Sequence, residues 1–265
     1  RFFDIGNDSH YYDDFANRTI VRRVAEKCYI PMNNLLLELI ETYGKKVKFA
    51  FSVSGSVIEQ MEKYAPEALD SFRQLAKTGC VEFLAETYSH SLASLTSPSE
   101  FEKQVKLHSA LVQKYFGKKP KCFRNPELIY SDEIGAKVAK MGFTSMLTEG
   151  ARHILGWKSP NYIYSNAINP KLNLLLRNFN LSDDIAFRFS DRSWAKWPVN
   201  VDKYIDWIND SLKDGEVLNL FMDYETFGEH QSASTGIFDF FRALPEAILS
   251  RTDFEFCTPS EVVKK

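Results

Sequence analysis

From about residue 46 onward, short apolar runs rich in Val, Phe, Leu and Ile alternate with longer segments in which apolar residues recur at helical spacing. The runs predict strands at Val47–Val53, Cys80–Glu86, Lys121–Asn125, Phe143–Leu147, Leu172–Asn178, Val217–Asp223 and Phe254–Cys257. The helical segments between them cover residues 33–44, 97–117, 131–142, 201–215 and 236–251. Gly44, Gly79, Gly117, Gly142 and Gly215 stand where helices should stop, and Ser99 before Glu102 reads as a capping box. A strand followed by a helix, repeated, predicts an α/β fold of βα units around a parallel sheet. The stretch 150–198 breaks that rhythm. Its Pro160, Pro170, Trp157, Trp194 and Trp197 predict an elaborated loop region over the mouth of the sheet.

Composition narrows this picture. The chain has 265 residues, 44% of them apolar, enough to bury one large core or two modest ones, and a single α/β barrel fits comfortably. Lys and Arg (33) nearly cancel Asp and Glu (35), so no general field attracts a nucleic acid or an anionic membrane. A neutral or small partner is expected. Cys28, Cys80, Cys122 and Cys257 are scattered without a CxxC pair and read as buried small hydrophobes, which points to a reducing, cytoplasmic setting. No apolar stretch approaches the roughly 20 residues of a membrane span. The chain opens on Arg1 rather than Met, and trimming at that end is expected.

In parallel barrels, catalytic groups project from the C-terminal ends of strands. Here those ends carry His90, Glu127, Asp183, Asp223, Glu225 and His230. Solvated loops alone would favour Lys, Ser and Gly. Cleavage of a glycosidic bond needs two carboxyl groups on opposite sides of that bond. Glu127 and Asp223 end different predicted strands, so they can face each other across a barrel mouth. Adjacent carboxylates on one strand could not, because their side chains alternate direction.

Several motifs bring a family into view. GCVEFLAETYSHSL (79–92) resembles the second diagnostic region of glycoside hydrolase family 57, FRNPELIY (123–130) its third, MDYETFGEH (222–230) its fourth and CTPSEV (257–262) its fifth. The family's first region, a strand ending in His-Gln-Pro, has no counterpart. Residues 1–21 look like the loop and helix that follow it, so the first strand is expected upstream of Arg1. The chain is expected to be one catalytic barrel domain, 1–265, without a C-terminal helical domain. The resemblance implies an incomplete TIM-like barrel of the (β/α)7 type, a retaining double displacement and α-1,4-glucan substrates, with no cofactor and no metal. Glu127 is then the nucleophile and Asp223 the general acid/base.

Around that pair, Arg124 is a candidate to hold Glu127 ionised, with a surface salt bridge as the alternative. Glu225 would share the face of Asp223 if the strand continues, and raise its pKa; a structural hydrogen bond is the other reading. His90 and His230 are candidates for sugar hydroxyls, as are His10, His153 and one of Asp183 or Asp184. His108 sits in a helical run and reads as structural. Trp194, Trp197 and Trp157 are either stacking platforms for glucose or loop core. A metal-dependent carbohydrate deacetylase is a rival reading, but YSHSLASL offers His90 without the second His such a centre needs. A non-catalytic glucan-binding protein is another. Water and a second glucan stay open as acceptors, so both amylase and 4-α-glucanotransferase fit; nothing in the sequence fixes an oligomeric state.

Overall fold

The computed structural model describes residues 13–213 and 215–265. His10 and the start of the 1–21 stretch lie outside the described residues. Asp14–Val24 (α1) runs into Ile30–Tyr43 (α2) through a π-helical stretch, Ala25–Tyr29. β1 (Phe49–Phe51) leads into α3 (Gly55–Tyr64) and α4 (Pro66–Lys77), and β2 (Val81–Phe83) into α5 (Ala93–Thr96) and α6 (Pro98–Phe116). β3 (Cys122–Arg124), α7 (Asp132–Lys140), β4 (Ser145–Glu149), α8 (Arg152–Leu155), β5 (Ile163–Ser165), β6 (Asn173–Arg177) and α9 (Phe179–Ala186) follow. α10 (Val201–Ser211), α11 (Ile237–Arg251) and α12 (Pro259–Val262) complete the chain.

β1 pairs with β2, β3 with β4 and β4 with β6, all in parallel, while β5 lies antiparallel on β6. Single bridges from Ala85 to Phe123 and from Arg177 to Asn219 carry the parallel order further at both ends. The strands bury mainly apolar side chains, Phe123, Met146, Leu174 and Leu176 among them, and carry Arg124, Glu149 and Arg177 at their C-terminal ends. Among the described residues they form an open, incomplete α/β barrel, and β1 pairs on one edge only.

Several expectations need correction. Val217–Asp223 is not a ladder strand: β5 occupies the edge of β6 at Asn173–Leu175, leaving only its upper end free. There the Asn178 amide donates to the Asn219 carbonyl (2.8 Å), and Asn219 Nδ2 donates to the Leu176 carbonyl (3.0 Å). Phe254–Cys257 makes no ladder among the described residues; Phe254 and Phe256 instead pack on the large core. α6 is capped by Ser97, whose side chain accepts from the Glu100 amide, because Pro98 takes the first helical position. The capping box occurs at Thr258 and Glu261 instead. Within 150–198, β6 and α9 are regular elements: Asn178 accepts from the Leu181 amide (3.1 Å) to start α9, which buries Leu181, Ile185 and Ala186.

Candidate active site

A cavity of about 1440 Å³ opens inside the sheet and is lined by both Glu127 and Asp223, with Glu86, His90, Arg177 and Glu225 among its walls. Glu127 follows β3 through Asn125, a fully buried residue whose Nδ2 donates to Ser94 Oγ and to the Ile129 carbonyl, both at 2.9 Å. Pro126 then turns the chain, and Glu127 takes a left-handed backbone (φ 56°) that projects its carboxylate outward. The side chain is 68% exposed and open to the cavity. His90, also left-handed (φ 53°), brings Nε2 to 3.2 Å from Glu127 Oε1. Its other nitrogen, Nδ1, is 2.8 Å from Oε2 of the buried Glu86. That bond to Glu86 lifts the His90 pKa, with burial acting against it. Arg124 turns to Glu86 (3.7 Å), so the ion pair it makes is with this buried carboxylate and not with Glu127.

Asp223 stands on the other wall, exposed, at the entry to a 3-10 turn, Tyr224–Thr226. The extended backbone stops there, so Glu225 does not share its face. Glu225 instead accepts a hydrogen bond from the Tyr29 hydroxyl (2.5 Å), the structural reading of that residue. Tyr29 reaches it from the π-helical stretch, where Cys28 Sγ also donates to the Tyr224 carbonyl (3.1 Å). Burial, then the charge of Glu225, pushes the Tyr29 phenol far up, so it stays a donor. Gly228 (φ 114°) closes the turn against the same stretch, and a Cβ there would lie 1.9 Å from the Lys27 carbonyl oxygen. His230 is exposed and lines the cavity.

Arg177, at the end of β6, joins three groups. Its Nε donates to the Phe221 carbonyl (2.7 Å), Nη1 lies 3.3 Å from Glu149 and Nη2 lies 2.6 Å from Asp183. Burial raises the Glu149 pKa, with Arg177 opposing. Asp183 is thus bound to an internal cation while lining the cavity, and Asp184 is held by Arg188 (2.6 Å) with its pKa raised by burial. Trp194 meets Trp207 edge to face and packs on the core, and Arg192 lies over Trp197; neither Trp194 nor Trp197 lines the cavity. Trp157 is 92% exposed. His108 is buried behind Glu86, as its helical setting predicts. Among the described residues no cluster of three His, Cys, Asp or Glu side chains is arranged to hold a metal ion.

Sequence reasoning passed over Glu86, Tyr29, Glu149 and Arg177. Glu86 and Arg177 did carry a signal, each being the charged residue that ends an apolar run.

The model of glycosyl hydrolase family 57 matches residues 2–265. A Methanocaldococcus jannaschii protein named "Putative alpha-amylase" is 48% identical over 257 residues, which are 96% of this chain and 54% of that protein. The chain therefore spans about half the length of this curated relative. The crystal structure of a 4-alpha-glucanotransferase from Thermococcus litoralis superposes with a TM-score of 0.75 at 19% identity, over 93% of this chain and 37% of that one. A family 57 branching enzyme from Thermococcus kodakaraensis gives 0.71 at 12% identity, over 94% and 67%. At such identities the two structures establish the fold.

Proposed function

This chain belongs to glycosyl hydrolase family 57, and we propose that it carries the centre of a retaining enzyme that cleaves α-1,4-glucans by double displacement. One observation carries the reading: Glu127, just after β3, and Asp223, at the entry to the Tyr224–Thr226 turn and 96 positions away in the chain numbering, line one cavity, and Glu127 is backed by an imidazole. Glu127 attacks the anomeric carbon. Asp223 gives its proton to the leaving oxygen and then takes one from the acceptor. His230, Trp157 and Trp197 are assigned to sugar hydroxyls and faces, whereas Asp183, bound to Arg177, and Trp194, packed on the core, serve structure. The four free cysteines accord with a reducing, cytoplasmic setting for starch- or glycogen-like substrates.

The glycosyl-enzyme passes its sugar either to water or to a second glucan, and the similar names among relatives include both kinds of enzyme. Hydrolysis is the reading advanced here. Digestion of maltoheptaose by the complete protein tests it: hydrolysis gives only shorter sugars, and products longer than the substrate would assign transfer instead. Proton NMR of the first-formed anomer checks retention, and an inverted product would overturn the mechanism.

A further inference from the structure

The two ring nitrogens of His90 face two carboxylates, Glu86 at 2.8 Å and Glu127 at 3.2 Å. An ionised carboxylate only accepts hydrogen bonds, and a neutral imidazole has one N–H and one lone pair. A neutral His90 would therefore aim its lone pair at one of two anions. Imidazolium donates to both. His108, on α6 in the same wall, shows the contrast. Its Nδ1 accepts from the Glu86 amide (3.1 Å) and its Nε2 lies 2.8 Å from the Val53 carbonyl, a pair of contacts that the neutral ring satisfies. Burial lowers its pKa accordingly.

The backbone adds an independent observation. Among the described residues three non-glycine positions take positive φ, His90, Glu127 and Leu128, so both partners of the contact are strained. Such strain persists only where surrounding contacts over-determine it. Beneath them Glu86 is 1% exposed and faces the Arg124 guanidinium as well as His90.

We propose that Glu86 is a positioning residue that acts through His90, holding the imidazole aimed and doubly protonated so that it donates to Glu127 in both half-reactions. The proposal rests on Glu127 being the nucleophile. In the first displacement a Glu127 oxygen bonds to the anomeric carbon as the bond to the leaving sugar breaks, and Asp223 protonates that sugar oxygen. In the second, the acceptor oxygen bonds to the same carbon, Asp223 takes its proton, and the ester electrons return to Glu127. His90 keeps its protons throughout and stabilises the carboxylate that attacks and departs.

The groups facing His90 set its titration. Glu86 ends the β2 run, Glu127 follows β3, and Arg124 on β3 opposes protonation. A raised imidazole pKa means that the support is complete below the ordinary value of about 6.5 and is lost as pH rises through the higher folded value. The test uses the complete protein and α-maltosyl fluoride, whose leaving group needs no proton, so the general acid does not shape the alkaline limb of kcat/KM. Glu86→Gln should move that limb down by about one pH unit. His90→Gln, at a half-exposed position and with its fold checked by thermal unfolding, should lower kcat/KM about a hundredfold and abolish the limb. Loss by one constant factor at every pH in Glu86→Gln, or a limb that survives in His90→Gln, overturns the proposal. Trapping the wild-type intermediate with a 5-fluoro glycosyl fluoride separates the two readings. A label away from Glu127 sinks the nucleophile assignment, whereas a label on Glu127 with an unmoved limb sinks only the role of Glu86.

Discussion

Replacing Arg177 by Met should destabilise the protein by about 3–5 kcal/mol at pH 7, because it removes the cation from a buried pair and leaves the anion behind. The structure sets that range. Asp183 is 7% exposed and lies 2.6 Å from the guanidinium, so it bears most of the penalty. The Phe221 carbonyl loses a 2.7 Å donor, which adds about 1 kcal/mol, and Glu149, more open to water, adds little. For a chain of this size the sum corresponds to a fall in Tm of about 10 °C. The loss should also depend on pH. A buried carboxyl without its cation has a raised folded pKa, so the folded state binds more protons than the unfolded state between the two values. The stability of the variant therefore recovers as pH falls from 7 towards about 5. Thermal and urea unfolding at both pH values measure this, and Arg177→Met combined with Asp183→Asn should regain at least half of the loss. A loss under about 1 kcal/mol, or one equal at both pH values, would refute the reasoning.

Glu127→Gln should abolish turnover of natural and activated glucosides, and azide should restore the activated reaction with an inverted product. Asp223→Asn should lose about 10² to 10⁴ fold on natural glucan yet still glycosylate from a fluoride, so that mass spectrometry finds sugar on a peptide containing Glu127. Gly228→Ala should lower stability by about 3 kcal/mol or more, read from the denaturant midpoint, since the new methyl meets the Lys27 carbonyl and its φ of 114° is strained for any side chain. A midpoint within error of wild type would mean that this turn relaxes freely.

The repeating elements were legible because burial on both faces writes them as apolar runs: β1, β2, β3, β4 and β6 all fall within or overlap the segments their sequences predict. What failed depended on partners. VLNLFMD has the composition of a strand, yet a strand needs a free edge, and the sequence of β5, three residues among Pro and Asn, does not announce that it takes that edge. Ser97 rather than Ser99 caps α6 because Pro98, which has no amide to donate, occupies the first helical position. In the site, Glu127 and Asp223 were legible as carboxylates ending apolar runs. Glu86 ends an apolar run in the same way, but its contact with His90 depends on the left-handed turn at His90, which the sequence does not announce. Tyr29 was not legible, because its partner Glu225 lies 196 positions away and is met only through the π-helical stretch.

The two carboxylates are fixed from different halves of the molecule. Glu127 hangs on the β2–β4 side, whose core cluster joins Ala85, Phe123, Ile134 and Met146. Asp223 hangs on the α1–α2 and α11 side, where Cys28, Tyr29, Phe227 and Ile237 share the largest cluster. Neither cluster alone sets the separation between them. Arg177 does bridge the halves: it grips Glu149 at the end of β4 and the Phe221 carbonyl two residues before Asp223. A change at Arg177 therefore bears on geometry as well as stability. In the fraction of Arg177→Met that remains folded, Asp223 is held less well while Glu127 keeps all its contacts. With Asp223 as the proposed proton donor, cleavage of natural glucan should then fall further than cleavage of a fluoride, whose leaving group needs no proton. Equal losses on both substrates would mean that the two walls are held together by something other than this guanidinium.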